Sequence, residues 1–185
     1  HVGLRAVKQA FGADDPYRYL IGALQRAFGS ILAPGITTSF RMSGIHHKLF
    51  SRPEHGAFAG RFLEDCDDRT DDCVHSILIK GPYRFDGCDH ADSFGPESCF
   101  ARLDRDDVLY VNIGTPLLVC TQLHYIENLC DVPYIEKRPF EGILYVDRTR
   151  FRRVRQMSFR YRRSVEWNRL KLERDLIRSS LMERH

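Results

Sequence analysis

Long apolar runs are missing from this 185-residue chain. None approaches the roughly 18–20 consecutive apolar residues of a membrane span, so no membrane partner is expected. No secretory signal is read at its start. Paired short metal-ligand spacings are also missing. Cys66 and Cys73 stand as Cys-x6-Cys and Cys88 and His90 as Cys-x-His, with His46-His47 upstream, which are the residue types of a zinc site without its spacing. No metal is expected. Gly12, Gly29 and Gly35 form no phosphate-cradling loop. Ser98 is followed by Cys99-Phe100, not by the pattern of a Gly-x-Ser-x-Gly nucleophile elbow, which argues against a covalent Ser or Cys mechanism. No repeat or low-complexity segment is seen. An initiator Met is absent too. His1-Val2-Gly3-Leu4 runs straight into structured-looking sequence and reads as a segment whose upstream part is not included.

What is present is ordinary for a globular protein: 43% apolar and 29% charged residues, enough for one domain over residues 1–185 with a real core. The net charge of +3 is mild, but its distribution is uneven. Glu64, Asp65, Asp67, Asp68, Asp71 and Asp72 cluster, and the C-terminal third is rich in Arg. Cys66, Cys73, Cys88, Cys99, Cys120 and Cys130 are read as reduced thiols of a cytoplasmic protein, although their even number leaves a disulfide framework open.

Leu4 to Phe11 reads as a short helix or loop. Asp14-Asp15-Pro16 predicts a helix start, and Tyr17, Leu20, Ile21, Leu24 and Phe28 then share one face. Ser30 to Ala33 is a short buried strand stopped by Pro34-Gly35. Thr37 to Ser43 reads as a polar loop or short strand, Ala57 to Glu64 as a helix, Val74 to Lys80 as a strand and Ser98 to Leu103 as a helical turn. Val108 to Gly114 is a short apolar strand, and a helix begins near Thr121, its candidate cap. Glu141 to Asp147 and the alternating Val154 to Arg162 form a hairpin. Ser164 is expected to cap a last helix, Val165 to Met182, with Trp167, Leu170, Leu176 and Leu181 as a partial apolar stripe. Strands separated by helices give an α/β domain of three-layer α/β/α type, with a central mixed sheet and a C-terminal hairpin plus helix.

The stretch Thr121-Gln122-Leu123-His124-Tyr125-Ile126-Glu127 carries the candidate chemistry. His124 would sit in the first helical turn, where the helix dipole favours the neutral ring that a general base needs. Glu127 follows three residues later on the same face. The bland alternative is a structural, hydrogen-bonding histidine.

Order and spacing along the chain carry a resemblance. Ser93-Phe94-Gly95-Pro96-Glu97-Ser98-Cys99-Phe100, then Leu103, then Ile113-Gly114, then Thr121-x-Leu123-His124-Tyr125-x-Glu127 resembles the aminoglycoside 3-N-acetyltransferase family. Gly29-Ser30-Ile31-Leu32-Ala33-Pro34 with Thr37, Arg69-Thr70 with Ser76 and Gly81, and His1-x-x-Leu4 are similar to further segments of it. The family's two serines after that first His are Val2 and Gly3 here, and its His-Pro pair is Asp72-Cys73.

The resemblance implies acetyl-coenzyme A as donor and an amine of an aminoglycoside or related amino sugar as acceptor, the chemistry of antibiotic resistance. It implies His124 as general base, Glu127 orienting it or holding a cationic acceptor, and Glu166 as a further acidic residue facing the acceptor. Gly3, Leu4, Ser76 and Thr121 fall where the coenzyme is expected, with Thr121 and Ser76 as hydroxyl donors to a developing oxyanion. A homo-oligomer stays open. The competing class is a non-enzymatic anion- or nucleic-acid-binding protein. It would use Arg148, Arg150, Arg152, Arg153, Arg155, Arg160, Arg162 and Arg163 with Phe151, Phe159 and Tyr161. The bland reading of that stretch, a solvated hairpin face, outweighs it.

Overall fold

The computed structural model describes residues 1–162 and 165–184. Seven helices and six strands are seen among them: α1 (Leu4–Phe11), α2 (Pro16–Ala27), β1 (Ile31–Pro34), α3 (Ser39–Ser43), β2 (Ile45–His47), α4 (Ala57–Asp65), β3 (Asp68–Arg69), β4 (Ile77–Lys80), α5 (Cys99–Arg105), α6 (Gln122–Leu129), β5 (Ile135–Tyr145), β6 (Phe151–Tyr161) and α7 (Arg169–Arg178). The strands divide into two three-stranded sheets. One, β1-β4-β3, is antiparallel throughout; the other, β2-β5-β6, is mixed, with β2 parallel to β5 and β5 antiparallel to β6.

The first sheet has helices on both faces, because side chains alternate along β4. Leu78 points into a core with Val7 of α1, Tyr17, Leu20 and Ile21 of α2, and Phe58 and Phe62 of α4. Ile77 and Ile79 point the other way, into a core with Phe100 and Leu103 of α5, Tyr125 of α6, and Phe94 and Phe159. A third core joins Phe40, Cys73, Val74 and Leu144 under the second sheet. The fold is α/β, with helix, sheet and helix layered about β4.

Local chemistry sets the element ends. The Asp15 carboxylate accepts from the N–H groups of Tyr17 and Arg18, and Pro16 opens α2, as the sequence predicts. The Ser98 hydroxyl accepts from the Ala101 N–H and starts α5. The hairpin forms as expected, but its first strand starts at Ile135 rather than Glu141 and its second at Phe151 rather than Val154. Four further expectations change. Thr37 to Ser43 yields a short helix, α3, because Glu54 accepts from the N–H groups of Thr38 and Ser39 across 15 and 16 residues, a cap that no local spacing shows. The strand expected from Val74 starts only at Ile77, since the Asp72 carboxylate takes the N–H groups of Val74 and His75 and holds that segment in a turn.

Val108 to Gly114 is not a strand. Among the described residues it makes one isolated bridge, Val2 to Ile113, and Leu109, Tyr110 and Val111 are exposed. The last helix is shorter than expected and is capped by Asn168, whose Oδ1 accepts from the Lys171 N–H. Its apolar stripe is not buried either: Leu170 and Leu181 are exposed, and the buried residue is Glu173, which accepts from the Leu118 N–H. Ser164 and Arg163 lie outside the described residues.

Candidate active site

A cleft of about 1330 Å³ runs between the start of the chain, the irregular segment 108–121, the first turn of α6 and the segment from Tyr161 to Leu172. Thr121, His124, Tyr161, Glu166 and Trp167 line it. Thr121 occupies the cap position of α6, as expected, but in a helical conformation without a side-chain cap hydrogen bond. Its hydroxyl is thereby left for the cleft.

His124 and Glu127 are brought together. The His124 Nδ1 lies 2.8 Å from the Glu127 Oε2. The Tyr134 hydroxyl donates to the Glu127 Oε1 over 2.8 Å. Both carboxylate oxygens are therefore engaged by the protein. The His124 side chain is 26% exposed and that of Glu127 only 7%, so the ring faces the cleft and the carboxylate stands behind it. An Nδ1–H held by a carboxylate fixes the tautomer and leaves Nε2 as the basic nitrogen. Burial, followed by the hydrogen bond to Glu127, pushes the Tyr134 phenol up to about 12, so it remains a donor.

Rings box in the imidazole. Phe159 of β6 lies 4.7 Å from it, Phe94 5.8 Å, and Tyr161 and Trp167 each 6.3 Å, ring centre to ring centre. Asn128 of α6 donates to the Phe94 carbonyl at 2.7 Å and ties that loop to the helix. Behind Phe159, His75 stacks on its ring and shares the Ser158 hydroxyl with Arg41. Burial, reinforced by the Arg41 charge, holds the His75 imidazole well below its usual value, so this ring is neutral.

The other predicted site residues are spread. Glu166 lines the cleft rim. Gly3 packs its backbone on Gly114: its N–H donates to the Ile113 carbonyl at 2.8 Å, and a Cβ there would collide with the Gly114 oxygen. This contact lays His1 and Val2 along the cleft. Leu4 opens α1 and packs into the helix-side core. Ser76 does not reach the cleft. It is fully buried, donates to the Gly35 carbonyl at 2.7 Å and accepts from the Arg69 Nε at 2.8 Å. Arg69 also donates to the carbonyls of Gly35, Ser51 and Lys48. The Arg69–Ser76 spacing is thus an internal clamp between β3, the segment before β4 and the loop after β1.

Sequence reasoning passed over Tyr134 and Phe159 as parts of the site. Tyr134 lies beyond the end of α6, so no helical period pairs it with Glu127. The alternation along the hairpin places Phe159 on one of its faces and gives no sign of His124. Trp167, read as part of a helix stripe, precedes α7 and stands beside His124.

All six cysteines are free thiols. Among the described residues no group of three or more His, Cys, Asp and Glu side chains comes together as a metal site. Of the eight candidate arginines, three are in ion pairs among the described residues: Arg150 with Asp147, Arg152 with Asp71 and Arg155 with Glu141. No helix among the described residues is long and apolar enough to cross a membrane.

A basic nitrogen held by a buried carboxylate at a helix start, open to a large cleft, fits the order of segments noted in the sequence. A family model described as aminoglycoside 3-N-acetyltransferase matches residues 54–184. The chain belongs to this family. The match spans the Arg69–Ser76 clamp, α5, α6 and the hairpin, and so includes the His124–Glu127 pair of this acetyltransferase-family chain. Among solved structures the chain is similar to the YokD protein from Bacillus subtilis, with a TM-score of 0.61 and 14% identity over 86% of this chain and 74% of that one. At that identity the likeness speaks for the fold. No curated protein sequence matches the chain.

Proposed function

We propose that this chain is a cytoplasmic enzyme that transfers an acetyl group from acetyl-coenzyme A to an amine of an aminoglycoside or related amino sugar, by direct attack and without an acyl-enzyme. The observation that carries the reading is the 2.8 Å pair of His124 Nδ1 and Glu127 Oε2, with the ring open to the cleft.

An ammonium has no lone pair and must lose a proton before it attacks. His124 Nε2 accepts that proton. Glu127 holds the ring in the right tautomer and stabilises the imidazolium that forms, and Tyr134 keeps the carboxylate in place. Acetyl-coenzyme A supplies the thioester carbonyl. The cleft fits it in size: at about 1330 Å³ it exceeds the usual range of roughly 300–1,000 Å³ for a single small ligand and has room for two substrates together. The Thr121 hydroxyl, which lines the cleft and makes no cap bond, is the donor offered to the carbonyl oxygen as negative charge develops there. Gly3 and Leu4 act by laying His1 and Val2 along the donor side of the cleft. Ser76 acts only through the clamp with Arg69. Glu166, on the rim, faces the acceptor.

The test is thiol release from acetyl-coenzyme A with an amino-sugar acceptor, beside calorimetric titration of the donor. His124→Ala should lower kcat by about 10²–10⁴-fold, the range of general-base catalysis, with donor affinity unchanged. Turnover retained by the variant would sink the assignment.

A further inference from the structure

We propose that the acceptor is an amino sugar carrying a single ammonium, its ring face packed on Trp167 and Tyr161, and not a polycationic aminoglycoside. The inference rests on the transfer reading above and narrows its substrate class.

Two carboxylates line the cleft among the described residues, Glu54 and Glu166. Glu54 is engaged at the start of α3, where it accepts from the Thr38 N–H, the Thr38 hydroxyl and the Ser39 N–H. Glu127 is closed off behind His124 with both oxygens bonded. Glu166 is thus the one lining carboxylate with no hydrogen bond or ion pair among the described residues. Three residues on, Arg169 lines the same cleft and has no carboxylate partner among the described residues. A ligand with several ammonium groups would bring most of them into an apolar cleft with one free carboxylate beside an arginine. Each cation taken from water without a partner is costly. One ammonium, placed between Glu166 and the basic nitrogen of His124, meets no such penalty.

The rings argue for the same class. Trp167 and Tyr161 stand nearly edge-on to His124, at 81° and 67°, and both remain partly exposed. Burial, followed by the Glu127 charge, pushes the Tyr161 phenol up to about 12, so it adds no negative charge to the site. Such rings offer apolar area to the C–H face of a sugar and a favourable surface to one adjacent cation.

The experiment compares methyl glucosaminide with kanamycin on the full chain. It uses thiol release with acetyl-coenzyme A, and calorimetric binding of each amine without the donor. The expected result is a kcat/KM for the glucosaminide about tenfold or more above that for kanamycin, with the same order in binding. Trp167→Ala and Glu166→Gln should each raise the glucosaminide KM by about tenfold with kcat within about threefold. Arg169→Glu should narrow the gap by improving kanamycin. Preferred turnover of kanamycin would overturn the acceptor class and leave the transfer reading standing. Binding in the expected order without any thiol release would overturn the transfer reading, and the acceptor role with it. Failure of the glucosaminide to bind, or equal binding of both amines, would also overturn the acceptor class.

Discussion

Replacing Glu127 by glutamine separates orientation from charge at the proposed base. In the native site the two carboxylate oxygens accept from His124 Nδ1 and from Tyr134, each at 2.8 Å. The amide has one acceptor and one donor to place against the same two partners. Tyr134 can turn its hydroxyl to accept. The amide oxygen then stays on His124, the tautomer is kept, and only the charge is lost. A charge-assisted bond exceeds a neutral one by about 1–2 kcal/mol, so kcat should fall roughly 5–30-fold. If the amide turns its NH₂ toward His124, the ring proton moves to Nε2 and the base is on the wrong nitrogen. A loss on the order of 10⁴-fold follows, as when a triad carboxylate becomes an amide. Tyr134 decides between the two. Tyr134→Phe removes its hydroxyl, so the second change in Glu127→Gln/Tyr134→Phe should alter kcat by more than the same change made in the native background. The assay is thiol release at saturating donor and acceptor. Glu127→Gln with kcat within twofold of native would refute both the orienting role and the direction of proton transfer.

Gly3→Ala places a methyl against the Gly114 carbonyl in a contact too short to keep, so backbone must shift. It should destabilise the fold by roughly 1–3 kcal/mol and weaken donor binding, read by thermal unfolding and calorimetry; native values for both would remove the Gly3–Gly114 contact from the cleft wall. Burial pushes the Asp72 carboxyl up to about 6 from the ordinary 3.8, so its contribution to stability is full below about pH 4 and is lost as pH rises through about 6. Asp72→Asn should therefore gain about 2–3 kcal/mol on the native protein between pH 4 and pH 7, measured by urea unfolding; an equal difference at both pH values would show that the carboxyl does not titrate in that window.

The parts legible in the sequence are those set within a few residues. Asp15-Pro16 and Ser98 carry their caps locally, and the alternation along β4 sorts Leu78 from Ile77 and Ile79 without any long-range knowledge. His124 and Glu127 are three apart on one helix, so their meeting is written in the spacing. What failed depends on distant partners. Glu54 makes α3 a helix, Glu173 buries a charged residue where an apolar stripe was expected, and Tyr134 reaches Glu127 after its helix has ended. The apolar run Val108 to Gly114 has strand composition, but strand structure needs a neighbour to pair with, and the described residues offer only a bridge to Val2.

That last failure explains how the cleft stays open. A paired strand at 108–114 would turn alternate side chains to a sheet and bond its backbone along its length. The segment instead is held at a few points. The Ile113 N–H donates to the His1 carbonyl, the Gly3 N–H to the Ile113 carbonyl, and the Val119 N–H to the Asn112 side chain, while the Leu118 N–H donates to Glu173. Ahead of those points Leu109, Tyr110 and Val111 line the cleft, with the Val111 carbonyl accepting from the His1 amino group. Apolar residues there remain available to a ligand because no sheet takes them. On the proposed acetyl-transfer reading, substitutions at Leu109 or Val111 should weaken donor binding in calorimetry more than they lower the unfolding temperature; the opposite order would tie these side chains to the fold.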